Sequence, residues 1–342
     1  MPSSIYSVFF CPESNESDNS FVSLHYQITI AMNKKAIILT LLLYVAGIHA
    51  NAQFLFRISG EGIENPSFIL GTIHSLSGSL LDSIPEFLEA ESKCQQIYVE
   101  QLIKMNQVFK YDKKKDRQTL KYPDGKTIFD VIDKESADIL KEKFMETLHV
   151  DLTDPSSNSF LDMLPSHFMD FLTNRLASQV RKQNPNMQGG LMDYVCAIRA
   201  KTHNKKVGEL DDSLMLDKLF KKEIASTTIE AQADSLMAFL KNYDEYKQKL
   251  TDDFAALCDY WIKGDYEGFA NSKQITEIEN NPTFYKDRNE NWVPKIKTAL
   301  KEAPTMFVFG AGHLIGQHGV IQLLREAGYK VEQVKNNTIS PH

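Results

Sequence analysis

The strongest constraint on this chain is a pair of matching strand ends placed near its two extremities. Ser67-Phe68-Ile69-Leu70 runs into Gly71-Thr72-Ile73-His74, and Met306-Phe307-Val308-Phe309 runs into Gly310-Ala311-Gly312-His313. A short, continuous apolar run bounded by turn residues reads as a buried strand. Ligands of open α/β sheets bind beyond the carboxyl ends of such strands. Glycine at the turn lets the following backbone approach that crevice closely. Two histidines so placed converge when their strands share a sheet. Ile97-Tyr98-Val99-Glu100 is a third short strand that ends in an acid. Two imidazoles and a carboxylate, with one position left for water, form a catalytic metal site. His74, His313 and Glu100 are therefore the candidate ligands. A plainer reading stands beside each: a hydrogen-bonded structural histidine at a strand end, and a helix-capping or surface acid at Glu100.

The rest of the chain predicts an α/β fold with a central mixed sheet built from both ends and a mainly helical insertion. Phe54–Ile58 and the strand before His74 read as a hairpin, because the turn-rich stretch from Ser59 to Pro66 separates them. Ser83 and Pro85 open a helix that reaches about Lys93. Helical patterning marks Ala137–His149, Pro165–Lys182, Leu191–Thr202 and one long run, Ile229–Lys263, ended by Gly264-Asp265. Lys205–Leu210 reads as a short strand between helices, and Asn291–Leu300 as a further helix. Strand, tight loop, helix over Gly319–Ala327 and strand over Tyr329–Val334 close the chain. The domain is expected over residues 53–338, with the helical insertion at about 128–280.

Met32-Asn33-Lys34-Lys35, the apolar run Ala36–Ile48 and then Ala50-Asn51-Ala52 have the order of a secretory signal peptide: basic start, apolar middle, small-x-small end. The run is shorter than the roughly 20 residues of a membrane-spanning helix. The expectation is translation from Met32, with residues 1–31 an upstream extension, a signal peptide over 32–52, and cleavage after Ala52. The mature protein is then periplasmic or extracellular, without a stable membrane anchor. Cys94, Cys196 and Cys258 remain in it, an odd and widely spaced set that is no disulfide framework and leaves the pairing of any one bridge open.

Composition removes several classes. The 342 residues carry a formal net charge of -7, spread along the chain with no Lys/Arg block, so there is no footprint for nucleic acid. No Gly-x-Ser-x-Gly elbow and no His-Glu-x-x-His helix occurs, which disfavours a serine hydrolase and the common zinc-protease helix. Gly310-x-Gly312 begins like a dinucleotide loop, but Ile315 stands where its third glycine belongs, and Gly316 comes one residue late.

Phe68–His74 resembles the opening signature of the TraB/GumN family, which includes the Tiki metalloproteases. Val308–Gly316, followed by Gly319-Val320 and Leu323-Leu324, resembles its closing signature. Between them Val99-Glu100, Gly190-Leu191-Met192-Asp193, Lys205-Lys206-Val207 and Arg288-Asn289 with Trp292 fall in the family's order. Leu210-Asp211 departs from it, standing where the family has Leu-Glu. The resemblance implies a core of the erythromycin-esterase, ChaN-like and Tiki type. It also implies a metal-dependent hydrolase, most simply a peptidase, acting on a peptide or small acyl substrate. His74, His313 and Glu100 would hold the ion, with Glu100 completing the coordination or acting as general base. Arg288 would hold a substrate carboxylate, or stabilise an oxyanion with backbone N–H groups of the Gly310–His313 turn, or else form a structural salt bridge. Mixed N/O ligation suits Mn, Co or Zn and does not choose among them. The competing reading is an exported, non-catalytic binder of peptide, haem or metal on the same fold.

Overall fold

A computed structural model describes residues 54–60, 62–102, 122, 125–212, 214–216, 218–219, 222, 226–280 and 283–334. The signal-peptide segment and Cys11 lie outside the described residues. Six strands, β1 (Leu55–Ser59), β2 (Ser67–Thr72), β3 (Gln96–Val99), β4 (Lys206–Glu209), β5 (Thr305–Gly310) and β6 (Lys330–Gln333), form one sheet in the order β4-β3-β5-β2-β1-β6. The helices are α1 (Pro85–Lys93), α2 (Lys134–Leu148), α3 (Asn158–Leu161), α4 (Pro165–Gln183), α5 (Met192–Thr202), α6 (Ile229–Lys241), α7 (Tyr243–Lys263), α8 (Tyr266–Ala270), α9 (Lys273–Asn280), α10 (Thr283–Glu302) and α11 (Val320–Glu326). The fold is mixed α/β.

The strand types follow from burial. Every residue of β2 and of β5 is buried, as unbroken apolar runs require when helices cover both faces of a sheet. These two strands are parallel neighbours, with Leu70 opposite Val308 and Thr72 opposite Gly310. β3 pairs in parallel with β5 on the other side, and β4 with β3. β1 and β2 form the expected antiparallel hairpin, Leu55 opposite Leu70 and Ile58 opposite Ser67. β6 pairs antiparallel with β1. Four parallel strands therefore present their carboxyl ends at one edge. The chain leaves β2 towards His74, β3 towards Glu100, β4 towards Asp211 and β5 towards His313.

The helical region differs from the sequence reading at two points. The long run Ile229–Lys263 is two helices, because the backbone at Asn242 leaves helical geometry (φ -115, ψ 28). The Asn242 side chain donates to the Ala238 carbonyl at 2.8 Å, a local bond that competes with helix continuation. Gly264 ends α7 in the left-handed conformation, as its position suggested. The helix expected from Asn291 begins earlier, at Thr283, and carries Pro294 within it. Arg288 and Asn289 consequently lie on a helix. Arg288, Trp292 and Lys295 fall on one face of α10 at i, i+4 and i+7, turned towards the end of β4. Lys295 Nζ donates to the Leu210 carbonyl at 2.6 Å. Cys94, Cys196 and Cys258 are buried free thiols.

Candidate active site

His74 and His313 meet at Glu100. His74 Nε2 lies 3.3 Å from Glu100 Oε1, and His313 Nε2 lies 3.9 Å from the same oxygen. The Gly310 N–H donates to Glu100 Oε1 at 2.6 Å, so the turn after β5 grips the carboxylate after β3. A Cβ on Gly310 would stand 2.8 Å from His74 Nε2 and 3.3 Å from Glu100 Oε1. Gly310→Ala is therefore expected to push the imidazole out of place and cost about 1–3 kcal/mol, the usual penalty of overpacking. Urea unfolding checks this, and a stability unchanged within 0.5 kcal/mol or so, on the scale of a surface substitution, would contradict the packing. The same N–H cannot serve an oxyanion, because Glu100 already holds it. The expected oxyanion contribution of the Gly310–His313 turn thus loses its first donor.

Arg288 occupies the middle of the cluster. Its Nη2 donates to Glu100 Oε2 at 2.5 Å and to Asp211 Oδ2 at 2.8 Å, and Nε donates to Asp211 Oδ1 at 3.1 Å. Its Nη1 lies 3.0 Å from His313 Nε2. Asp211 also accepts from the Trp292 indole at 2.8 Å, and the guanidinium lies over that ring, 4.8 Å from its centroid. The shorter acid at position 211 thus reaches its partners in full. Arg288 is 7% exposed. On its other side His313 Nδ1 contacts Asn289 Oδ1 at 2.6 Å. An amide oxygen only accepts, so Nδ1 carries the proton and the Nε2 lone pair receives the Arg288 N–H.

His74 has a different backing. Its Nδ1 donates to Asp193 Oδ2, and its side chain is 26% exposed against 3% for His313, so the cluster opens to solvent on the His74 side. Burial pushes the His74 pKa down, but the carboxylates of Asp193 and Glu100 outweigh it and hold the group well above its ordinary value. Burial and the Arg288 charge act together on His313 and hold it well below. Burial also raises the Glu100 carboxyl, but Arg288 and His74 overcome it and keep the acid well below the usual carboxylate range. The two histidines therefore tilt stability in opposite directions. His74, raised in the folded state, contributes stability that is complete below about pH 6.5 and is lost as pH rises through its folded pKa. His313, depressed, contributes stability present above about pH 6.5 and lost as pH falls. His313→Gln is accordingly expected to flatten the acid limb of a stability–pH profile. An acid limb as steep as the wild type's would contradict a neutral buried His313.

Sequence reasoning placed His74, Glu100, His313 and Arg288 at one site, and the structure brings all four together. Asp193 stood only within a motif, and the resemblance placed Asn289 near the site without a role; the contacts of the two with the imidazoles come from the structure. An acid in the first turn of a helix that follows Gly189-Gly190 was the available signal for Asp193. His318 is 39% exposed by side chain; its backbone carbonyl accepts from Asn289 Nδ2 at 2.8 Å, and its ring faces Glu290 at 3.9 Å.

Donor atoms bound about 2.1 Å from a common ion stand about 3.0–3.4 Å apart at tetrahedral to octahedral angles. His74 Nε2 and Glu100 Oε1 fit that spacing at 3.3 Å. The carboxylate behind His74 is the usual outer partner of a metal-binding imidazole. His313 Nε2 faces the same oxygen but is engaged by Arg288. Among the described residues no group of three or more His, Cys, Asp or Glu side chains stands ready to hold a metal ion. The residues present thus fit a divalent ion as a pair, with His313 available once Arg288 Nη1 gives way.

The parallel strands β2, β3, β4 and β5 thus gather two histidines and two acids at their carboxyl ends, the arrangement of an α/β core with a polar site at its strand ends. The profile of the TraB/PrgY/gumN family matches residues 54–333, and the chain belongs to that family. Shorter segments are similar to three named relatives. Metalloprotease TIKI2 of Danio rerio is 38% identical over 64 residues, 18% of this chain and 12% of that protein. Metalloprotease TIKI1 of the same organism is 39% identical over 64 residues, 18% and 13%. A metalloprotease TIKI homolog of Nematostella vectensis is 33% identical over 67 residues, 19% and 14%. The matched segment spans only about an eighth of the relatives' length. No solved structure matches. No described helix is long and apolar enough to cross a membrane.

Proposed function

We propose that the protein is an exported metal-dependent hydrolase that cleaves a peptide or other small acyl bond at the His74–Glu100 face. The observation that carries this is the 3.3 Å approach of His74 Nε2 to Glu100 Oε1 at the solvent side of the cluster, with His74 backed by Asp193. The metalloprotease relatives support it over the non-catalytic binder. His74 and Glu100 would hold the ion, with His313 joining when Arg288 turns away. A bound divalent ion would lower the pKa of its water and polarise a substrate carbonyl.

The remaining chemistry belongs to the chain's own groups. Both Glu100 oxygens are already engaged, Oε1 by the Gly310 N–H and Oε2 by Arg288 Nη2, which favours a ligand over a general base. Arg288 keeps Glu100 charged and His313 neutral. With Nη2 and Nε shared between two carboxylates, it acts through those groups rather than on an oxyanion. Export rests on the Lys34-Lys35, Ala36–Ile48, Ala50-Asn51-Ala52 pattern. N-terminal sequencing of protein from its native host is expected to begin at Gln53; an intact N-terminus in the cytosol would remove this part. The test of the reaction is digestion of a peptide library by the protein with Mn, Co and Zn in turn, repeated with chelator. Metal-stimulated, chelator-sensitive cleavage is expected. Ion binding without any cleavage would favour the binder.

A further inference from the structure

The backbone, rather than side-chain flexibility, sets the contact between His74 and Asp193. Asp193 is the second residue of α5, where the positive end of the helix dipole favours a carboxylate. The start of α5 is tied to the loop that carries His74. Ser77 pairs with Leu191 in an isolated bridge, Ser77 N donates to Asn186 O at 2.8 Å, and Gly78 N donates to Gly190 O at 2.9 Å. A Cβ on Gly78 would lie 2.4 Å from the Val195 Cβ, so helix and loop stand at the closest approach a glycine allows. The other Asp193 oxygen, Oδ1, is buried and has no hydrogen-bond partner among the described residues. A buried acceptor left unsatisfied costs stability. Asparagine has the same shape, so it removes the charge while leaving the packing in place.

We propose that Asp193 is the positioning residue of the site. Its carboxylate keeps His74 Nδ1 protonated, sets Nε2 beside Glu100, and makes that nitrogen, once its own proton is displaced, a stronger donor to a divalent ion. This rests on the metallohydrolase reading but concerns binding, and it is tested without turnover. The full chain and its Asp193→Asn variant are titrated calorimetrically with Mn, Co and Zn ions. Asp138→Asn, which removes an exposed carboxylate on α2, is the charge control. Asp193→Asn is expected to bind about 10–100-fold more weakly, the effect of losing an outer-shell partner, while the control matches the wild type; metal-free Asp193→Asn is expected to stay folded but unfold somewhat earlier, having lost the charge partner of His74. Wild-type binding with equal affinity in Asp193→Asn overturns the role of Asp193 and leaves the metal reading standing. Failure of the wild type to bind any of the three ions overturns both. Nitrogen-15 spectra of the zinc-loaded wild type give a readout that needs no variant. A proton on His74 Nδ1 is expected, and a proton on Nε2 overturns the inference.

Discussion

Arg288→Ala is expected to destabilise the protein by about 3–5 kcal/mol at neutral pH, the cost of removing one partner from a buried ion pair. The guanidinium is 7% exposed and is shared by Glu100 and Asp211, whose oxygens lie 2.5 and 2.8 Å from its Nη2. Without it Asp211 is left with the Trp292 indole and Glu100 with His74 and the Gly310 N–H, less than two buried carboxylates need, and the Trp292 ring loses the cation above it. The pH dependence identifies the cause. In the variant, burial raises the carboxyl pKa values above the unfolded values near 4. The uncharged forms then contribute stability that is present below about pH 4 and is lost as pH rises through the folded pKa values. The deficit relative to the wild type should thus shrink in acid and widen towards neutrality. Urea denaturation at pH 4.5 and 7.5 measures it. A deficit equal at the two pH values would mean that Arg288 contributes by packing rather than by charge. Arg288→Lys keeps the charge but not the planar fork that spans two carboxylates, and its cost should fall in between.

The second large effect is expected at His74. His74→Ala removes the more exposed imidazole and leaves Glu100 and Asp193 as the acids that flanked it. Loss of a direct ligand should exceed the roughly 10–100-fold effect of an outer-shell partner. Affinity for Mn, Co or Zn ions should fall by more than about 100-fold, and metal-stimulated hydrolysis should disappear with it. His313→Ala provides the contrast. With its Nε2 engaged by Arg288, it should reduce binding less than His74→Ala does. Equal losses would place both imidazoles on the ion from the start. Unchanged binding in His74→Ala would remove the metallohydrolase reading and leave a binding protein on the same fold.

The two Gly-x-x-His turns were legible because every part of their signal is local: an apolar run, a glycine turn and a histidine within eight residues or so. The hairpin Phe54–His74 was legible for the same reason. Other features depend on what distant segments do to each other. The apolar positions Leu236, Phe239, Leu240, Tyr243 and Leu250 keep a helical rhythm across Asn242. The break there comes from a side chain bonding its own helix, which periodicity does not record. Whether Lys206–Glu209 joins the main sheet is decided by β3, more than a hundred positions earlier. Arg288 could be placed near the site only by the family resemblance, and its burial between two acids could not be read at all. Asp193 stood in a quoted motif and still gave no hint of its partner, because a helix start and a strand end are joined only through the loop contacts at Ser77 and Gly78.

β5 enters the sheet between β3 and β2, yet it is the penultimate strand in the chain. A ribosome must release nearly the whole polypeptide before the middle of the sheet can close. Until then β2 and β3 have no common neighbour, and His74 and Glu100 belong to separate fragments. So high a contact order predicts slow folding, because the entropy of a very long loop is spent before the pairing rewards it. It also makes a nascent or truncated chain inert. A fragment ending before Thr305 would lack Arg288's partner His313 and the Gly310 N–H that grips Glu100. For a protein proposed to cut peptide bonds after export, chemistry that switches on only once β5 is in place would protect the cell that makes it.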